Sequence, residues 1–473
     1  MLAKNEIDLL KICQKFKKSW FLCQSPFARK ALCTTGRAGP LACAAAAVYP
    51  AVHNSRPAAA QQKYFFSIEF YIFHSHHIIM QQRTFYIQTF GCQMNEYDSE
   101  RLIGNLQQKG WRQVESYAGA DLVILNTCSI REKVTHKIYS EVGRINMEKV
   151  KMRRAGRYMV IALLGCVPEV EREKMFTKAP AIDILLSPQS HLQLLPFVER
   201  ILSSVFLRKG YAVARKTHLS ELALDANMKF DFLAEERTTF DGEHAYITVQ
   251  EGCNKFCTYC VVPNTRGREL PRKAEDILKE AHELVKLGAK EITLLGQNVS
   301  SYKYTDGANN KWTLVELIQE VAKIPSVERI KYITSHPIDI TQELIDLHAK
   351  EKKLMPYLHL PVQSGSNAIL KKMNRKYTRE FYLDIIRRYR EAVPDMVFSS
   401  DFIVGFPGET EEDFQQTIDL VEEVVYRAPC FSFIYSPRPN TVAALMKDQI
   451  SLDVATARLE RLQKLLLEQF RGR

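Results

Sequence analysis

From Arg83 onward, short apolar runs alternate with longer stretches in which apolar residues recur every three or four positions. The short runs predict β-strands, and the longer stretches predict amphipathic α-helices. In the first region the predicted strands are 84–90, 121–126 and 158–164, and the predicted helices are 97–109 and 133–149. Strands separated by helices are typical of a parallel sheet, so we predict an α/β domain over residues 80–207.

In the segment at 208–240 the pattern does not show where strands lie. After this segment, predicted strands and helices alternate again. Six strands are predicted at 245–250, 291–295, 329–334, 357–361, 397–404 and 431–435, and six helices at 273–287, 313–324, 342–350, 379–392, 411–425 and 453–470. Six βα units are too few to close an eight-stranded barrel. The predicted fold class is therefore α/β, with an N-terminal parallel-sheet domain, a linker at 208–240 and a partial (βα)6 barrel over 241–473.

Residues 1–79 show no sustained apolar period, and the first 80 residues hold ten Lys and Arg against three Asp and Glu. A basic, acid-poor segment would suit an organelle transit peptide. A plainer interpretation is an over-extended start, because Met80 immediately precedes a well-patterned strand. We favour the second interpretation and expect residues 1–79 to be an unstructured or mis-assigned extension.

Composition narrows the class of protein only a little. The net charge of +11 lies mostly in the first 80 residues, which leaves +4 for the rest and makes bulk charge a weak indication of an RNA partner. The longest apolar stretch, at 64–80, is interrupted by Glu69 and three histidines, so no membrane span is expected. Six of the eleven cysteines occupy cluster-like positions, which suggests a reducing compartment.

Cys253, Cys257 and Cys260 follow the first barrel strand with C-x3-C-x2-C spacing. A structural zinc ion takes four ligands, whereas a [4Fe–4S] cluster on three thiolates keeps one iron open to a ligand that is not protein. The spacing therefore favours a catalytic iron–sulfur cluster. The alternative is a zinc knuckle completed by a distant His or Cys.

Cys92, Cys128 and Cys166 each follow one of the three predicted strands of the first region. Open α/β sheets bind ligands beyond the carboxyl ends of their strands, so three cysteines far apart in sequence can meet there. We predict a second three-thiolate cluster. The alternative is three buried core cysteines, since Cys is often buried.

Polar residues also follow the other predicted barrel strands, at the end where βα barrels hold their chemistry. We expect six residues of these turns to line one pocket: Gln297, Ser335, Gln363, Gly405, Pro407 and Glu409. For any one of these turns, ordinary loop chemistry is the alternative. Arg266 and Arg268, soon after the cysteine loop, would orient a carboxylate or an RNA phosphate, or else belong to a solvated loop.

Six motifs carry a family resemblance, at residues 89–99, 126–132, 265–269, 360–366, 405–410 and 436–441. From about residue 82 to residue 470 the chain resembles the methylthiotransferases of the radical S-adenosylmethionine (radical SAM) superfamily, and within them the MiaB type. Gln93, Met94 and Asn95 after the first cysteine match that type. Related branches of the family act on a ribosomal-protein aspartate or on threonylcarbamoyladenosine in tRNA, and they tend to have other residues at these three positions. These two activities remain the alternative functions within the family.

The resemblance implies two [4Fe–4S] clusters and S-adenosylmethionine as cofactors. Cys253, Cys257 and Cys260 would hold the cluster that cleaves S-adenosylmethionine, with Tyr259 near its adenine, while Cys92, Cys128 and Cys166 would hold the cluster that carries sulfur. The implied reaction adds a methylthio group to C2 of prenylated adenosine 37 in the tRNA anticodon loop. The implied partners are tRNA, an electron donor such as a flavodoxin or ferredoxin, and a sulfur source. We expect the protein to be a monomer. We expect it in the cytoplasm, or in mitochondria if the extension is a transit peptide.

Two departures from the family pattern stand out. Val167, Pro168 and Glu169 follow the third cysteine where the family usually has Met-Ala-Gln. Members of the family also end in a small RNA-binding β-barrel called TRAM, and we expect the sequence up to Arg473 to lack this module. A non-catalytic iron–sulfur protein that binds RNA or senses redox state is the alternative from another class, against which the polar strand ends argue.

Overall fold

The computed structural model describes residues 82–129, 132–237 and 239–471, and Gln82–Arg473 forms one compact unit. The predicted extension at 1–79 lies outside the described residues. The N-terminal region of the unit is built on one six-stranded sheet in which all neighbours pair in parallel. From edge to edge its strands are Arg112–Gln113, Thr84–Phe90, Leu122–Thr127, Val160–Gly165, Ile184–Leu186 and Leu219–Glu221. The parallel α/β sheet predicted from the sequence is thereby confirmed.

Helices cover both faces of this sheet, as burial of its central strands requires. They are Gln93–Gln108, Glu132–Arg154, Cys166–Glu171, Lys174–Lys178 and Leu194–Leu202, with a 3-10 turn at His191–Gln193. The first helix begins directly after Cys92, four residues earlier than the apolar period predicts, because its first turn carries polar residues.

The segment at 208–240 contains ordered structure that the sequence pattern did not place. Tyr211–Ala214 pairs antiparallel with Val205–Arg208, and Leu219–Glu221 adds the last strand to the edge of the N-terminal sheet. Helix Ala226–Leu233 follows and is capped by the side chain of Asp225. This segment contributes to the N-terminal sheet and also leads into the second region.

The second region repeats strand and helix, and its six main strands follow one another in chain order. They are His244–Thr248, Glu291–Leu295, Arg329–Tyr332, Tyr357–His359, the interrupted pair Val397–Ser399 and Asp401–Val404, and Phe431–Ile434. Their ladders are parallel, with an isolated bridge from Ile330 to Leu354 between the third and fourth strands. Among the described residues no ladder joins the first strand to the sixth. The partial, laterally open barrel is therefore confirmed.

Six described helices of the barrel lie close to their predicted positions: Ala274–Lys286, Leu314–Ala322, Gln342–Lys350, Arg379–Ala392, Glu411–Val424 and Leu452–Arg471. Two short helices, Val262–Thr265 and Asn367–Lys372, were not predicted. Short elements complete the region: strands Gln250–Glu251 and Leu270–Pro271, the hairpin Lys303–Thr305 and Lys311–Thr313, and 3-10 turns Val299–Ser301, Pro337–Asp339 and Val442–Leu445. Thr410 and Asp413 form a reciprocal capping box, which fixes where the helix after the fifth strand begins. Among the described helices none is long and apolar enough to cross a membrane.

A buried carboxylate joins the two regions. Glu280 of the barrel accepts hydrogen bonds from four side chains of the first helix, the 208–240 segment and the barrel: Tyr97, Arg101, Arg237 and Arg272. Burial alone would raise the pKa of Glu280, but the arginines lower it to about 2. Removing one partner from such a buried set costs about 3–5 kcal/mol. The first helix is thus fixed against the barrel.

Candidate active site

The barrel cysteines lie on a loop that other parts of the barrel hold in place. Met373 O accepts a hydrogen bond from the Thr258 backbone N–H at 3.1 Å, and Asn374 Nδ2 donates to Phe256 O at 2.9 Å. Gly252 opens the loop with a φ of +75°, and a Cβ there would lie 2.1 Å from Arg268 O. The loop therefore needs glycine at this position.

All three barrel thiols are partly buried. Burial raises the pKa of Cys253 to about 11 and that of Cys260 to about 12, and the neighbouring Cys257 adds to both shifts. Arg375 is a buried cation beside this loop, with Nη1 3.6 Å from Cys257 Sγ. Because metal ligation requires thiolates, a buried cation beside this loop favours the deprotonated form.

Two of the predicted pocket residues present polar atoms that lack a partner among the described residues. Gln297 uses Oε1 to accept from the Gly252 N–H at 2.5 Å, which leaves its buried Nε2 without a hydrogen bond. The buried Oγ of Ser335 is likewise without a partner. Buried polar groups are normally satisfied, so these two atoms fit a polar ligand that binds above the cysteine loop.

The remaining predicted pocket residues have backbone or packing roles in the structure. Gln363 adopts a left-handed φ of +74°. Glu409 accepts from the Gly405 N–H at 2.7 Å and from Arg458 at 2.8 Å, so its carboxylate ties the turn containing Pro407 to the last helix. Tyr259 packs edge-on against Phe406, with ring centroids 6.5 Å apart. Direct contact of these residues with a cofactor stays a prediction.

The other three cysteines meet at the carboxyl edge of the N-terminal sheet. Cys92, Cys128 and Cys166 follow three adjacent parallel strands in matching register, and the Cys128 N–H bonds to Phe90 O at 2.8 Å. Gly165 precedes Cys166 with a φ of +97°, and a Cβ there would lie 2.2 Å from Thr127 O. The tight approach of the second and third strands thus depends on glycine.

Electrostatic interactions link these thiols to one another and to the barrel. The pKa of Cys92 is lowered to about 6, chiefly because the Cys128 thiol hydrogen-bonds to it. Burial raises the pKa of Cys166, and the Arg266 guanidinium, which is within hydrogen-bonding reach, opposes that rise. The three thiols therefore share one electrostatic environment with a barrel arginine.

Both cysteine sets offer the thiolate donors that iron–sulfur clusters use. No three His, Cys, Asp or Glu side chains in the described part of the chain are grouped so as to hold one metal ion. Three thiolates suffice to hold a [4Fe–4S] cluster and leave one iron open. The donor chemistry at both sites fits a [4Fe–4S] cluster.

The two arginines predicted to contact substrate lie in different environments. Arg268 is exposed and stacks over the exposed ring of Phe256 at 5.3 Å. Arg266 is only 3% exposed and points into the protein, where it pairs with Glu251. Substrate contact stays a prediction for both residues.

The structure adds residues that the sequence did not single out. Arg375 beside Cys257, and the buried ions Lys229 and Glu251 near Arg266, belong to no motif, whereas their neighbour Asp98 lies in the motif at 89–99. Their significance depends on contacts between segments distant in sequence. The only local signal was a charged residue within an otherwise buried element, as at Glu251 in the short strand Gln250–Glu251.

Two family profiles match the chain: the radical SAM superfamily over residues 247–421 and the uncharacterized protein family UPF0004 over residues 84–187. The tRNA-2-methylthio-N(6)-dimethylallyladenosine synthase of Rickettsia akari (strain Hartford) is 49% identical over 388 residues, which cover 82% of this chain and 84% of that protein. The enzyme of the same name from Rickettsia conorii (strain ATCC VR-613 / Malish 7) is 48% identical over 385 residues, covering 81% and 84%.

Among solved structures, the radical S-adenosylmethionine methyltransferase TsrM from Kitasatospora setae, with cobalamin and a [4Fe–4S] cluster bound, is similar in fold. The TM-score is 0.54 at 12% sequence identity, and the match covers 77% of this chain and 74% of that one. At this identity the likeness supports the arrangement of a sheet domain followed by a partial barrel.

Proposed function

Because this chain belongs to the radical SAM methylthiotransferases of the tRNA-2-methylthio-N(6)-dimethylallyladenosine synthase type, we propose that it adds a methylthio group to C2 of N6-prenylated adenosine 37 in tRNA. The observation that carries the proposal is the 49% identity over 82% of the chain, with two three-cysteine sets in one compact unit. Two [4Fe–4S] clusters and S-adenosylmethionine, when bound, supply the electron, the radical, the sulfur and the methyl group for this reaction.

The barrel residues hold and orient the reactants. Cys253, Cys257 and Cys260 provide the thiolates of one cluster. The Nε2 of Gln297 and the Oγ of Ser335, which have no partner in the described part of the chain, are available to bind polar groups of S-adenosylmethionine. No side-chain base can deprotonate the unactivated C2 position of adenine. The protein therefore contributes positioning and exclusion of water rather than acid–base catalysis.

The N-terminal cysteines hold the second cluster close to the barrel. The short helix Cys166–Glu171 packs against Val262–Thr265, the helix that follows the barrel cysteine loop. This contact supports a single site in which sulfur from one side and the radical from the other reach the same carbon.

We propose that the tRNA anticodon loop binds at the open face of the barrel. Arg268 and the 44%-exposed ring of Phe256 lie beside the cysteine loop and offer a cation and an aromatic face to an unstacked base. The reaction also needs an electron donor such as a flavodoxin or ferredoxin and a sulfur source. Both cysteine sets are complete within one chain, which supports a monomer, and cluster thiolates suit the reducing cytoplasm.

Mass spectrometry of tRNA nucleosides tests the proposal. The chain is expressed in a bacterial host that lacks its own enzyme and accumulates prenylated adenosine without the methylthio group. We expect the methylthio nucleoside to appear with the wild-type chain and to be absent with Cys253→Ala. Unchanged nucleosides from cells that contain folded, iron-loaded protein would contradict the proposal, as would a methylthio group found only on threonylcarbamoyladenosine or on a ribosomal protein.

A further inference from the structure

Arg266 crosses from the barrel to the N-terminal cysteines. It follows helix Val262–Thr265, and its backbone carbonyl accepts a hydrogen bond from Gln189 Nε2 of the N-terminal region at 2.9 Å. Its guanidinium is buried beside Cys166 and Cys92. An arginine of one region is thus part of the thiol site of the other.

The guanidinium is held firmly on one side and is open on the other. Nη1 donates to both carboxylate oxygens of Glu251, at 3.2 and 2.9 Å. Nη2 is 3.9 Å from Asp98 Oδ2, too far for a hydrogen bond, and this buried nitrogen has no hydrogen-bond partner among the described residues. The Cys166 thiol is within hydrogen-bonding reach of the guanidinium, so this open nitrogen is available to a sulfur acceptor at the thiol site.

Further buried ions fix the carboxylates that hold Arg266. Lys229, which is fully buried, pairs with Asp98 at 2.8 Å and also with Glu251. This lysine comes from the 208–240 segment, so three parts of the chain meet at this point. The position of the guanidinium is therefore set before any ligand binds.

Arg272 provides a comparison within the same interface. It is also buried, yet both of its terminal nitrogens have protein acceptors: Nη1 donates to Glu280 at 2.5 Å and Nη2 donates to Leu233 O at 3.3 Å. A buried arginine that serves only to join the two regions is satisfied by protein groups. Arg266 differs because its Nη2 has no hydrogen-bond partner among the described residues and its guanidinium lies beside the Cys166 thiol.

We propose that Arg266 is a positioning residue for the N-terminal cluster, donating a charged hydrogen bond from Nη2 to a cluster sulfur or to a ligand thiolate. This inference rests on the proposed function, since it requires a cluster on Cys92, Cys128 and Cys166. Positive charge and hydrogen bonds at sulfur raise the reduction potential of an iron–sulfur cluster. Arg266 thereby makes this cluster easier to reduce and orients it toward the barrel.

A redox titration of the N-terminal cluster alone tests the inference. In the full-length chain, Cys253, Cys257 and Cys260 are replaced by Ala so that only the N-terminal cluster gives an electron paramagnetic resonance signal. Arg266→Gln and Arg266→Lys are compared in this background with Arg272→Gln as the matched control. Iron content and melting temperature are measured for each variant.

We expect the midpoint potential of Arg266→Gln to be more negative than that of the parent and that of Arg266→Lys to shift less, because lysine keeps the charge. Arg272→Gln should leave the potential unchanged. Loss of the cluster from folded Arg266→Gln but not from Arg272→Gln would also support the inference.

An unchanged potential in iron-loaded Arg266→Gln, or an equal shift in Arg272→Gln, would overturn this inference and leave the proposed function standing. Absence of any cluster from the parent background would overturn both.

Discussion

The two three-cysteine sites are assembled in opposite ways. Cys253, Cys257 and Cys260 share one loop and are all partly buried, and Gln297, which bonds to the start of that loop, has an Nε2 with no hydrogen-bond partner among the described residues. Cys92, Cys128 and Cys166 come from the ends of three adjacent strands, and the last two are buried. The open site suits exchange of a small cofactor, whereas the enclosed site suits storage and delivery of sulfur.

Each site nevertheless has one buried arginine from a distant segment. Arg375 contacts Cys257 in the barrel, and Arg266 faces Cys166 and Cys92 at the sheet edge. The difference lies in the origin of the cation: Arg375 belongs to the same region as its cysteines, but Arg266 crosses between regions. The sheet site is therefore complete only when the barrel is docked against it.

The largest expected effect comes from removing the barrel thiolates. The triple variant Cys253→Ala, Cys257→Ala, Cys260→Ala should form neither 5′-deoxyadenosine nor methylthio product, and its iron content should fall from about eight to about four per chain. Chromatography and iron analysis of reconstituted protein give these values. Cys430→Ala, which removes a thiol outside both sets, is the control and should retain both products. Stoichiometric zinc in place of iron would contradict the cluster assignment.

Single glycine substitutions should damage the sites one at a time. Gly165→Ala forces a Cβ against Thr127 O at the sheet edge, and Gly252→Ala forces one against Arg268 O at the barrel loop. We expect each variant to lose about half its iron, since each site holds one cluster. Only Gly252→Ala should stop cleavage of S-adenosylmethionine.

Gly143→Ala, where an added Cβ meets nothing within 4 Å, is the control for both substitutions. If Gly165→Ala abolished cleavage while the barrel cluster stayed intact, the two sites would not be independent.

A moderate effect is expected for Arg375→Gln. This variant loses the charged hydrogen bond to Cys257, so formation of 5′-deoxyadenosine should slow by roughly tenfold, the equivalent of about 1.4 kcal/mol. Iron content should be retained, and Arg375→Lys should recover part of the rate because it keeps the charge. An unchanged rate in folded Arg375→Gln would show that the contact with Cys257 has no role in the reaction.

The smallest effect concerns barrel stability away from the clusters. Burial lowers the pKa of His348 from its ordinary 6.5 to about 4, and its Nε2 is 2.8 Å from the Tyr332 hydroxyl. The unfolded chain therefore takes up this proton at a higher pH than the folded chain, so stability falls as the pH drops from about 6.5 to about 4. Melting temperatures at about pH 7 and about pH 5 should differ less in His348→Gln than in the wild type. Equal pH dependence in both proteins would contradict this assignment.

The sequence predicted the main strands of both regions because apolar residues predominate in them. Glu291–Leu295, for example, is fully buried and lies where the pattern placed it. The edge strand Leu219–Glu221 is short and only partly buried, so it left no such signal. Lys229 and Arg375 could not be recognised either, since a lone charge gains meaning only from the distant residues around it.

Product analysis of the triple variant Cys92→Ala, Cys128→Ala, Cys166→Ala tests the separation of the two sites most directly. The variant is incubated with S-adenosylmethionine, reductant and prenylated tRNA, and both products are quantified by chromatography. Separate roles predict that 5′-deoxyadenosine still forms and that no methylthio nucleoside appears. Loss of 5′-deoxyadenosine from a variant whose barrel cluster is intact by iron content and spectroscopy would contradict the division of labour between the sites.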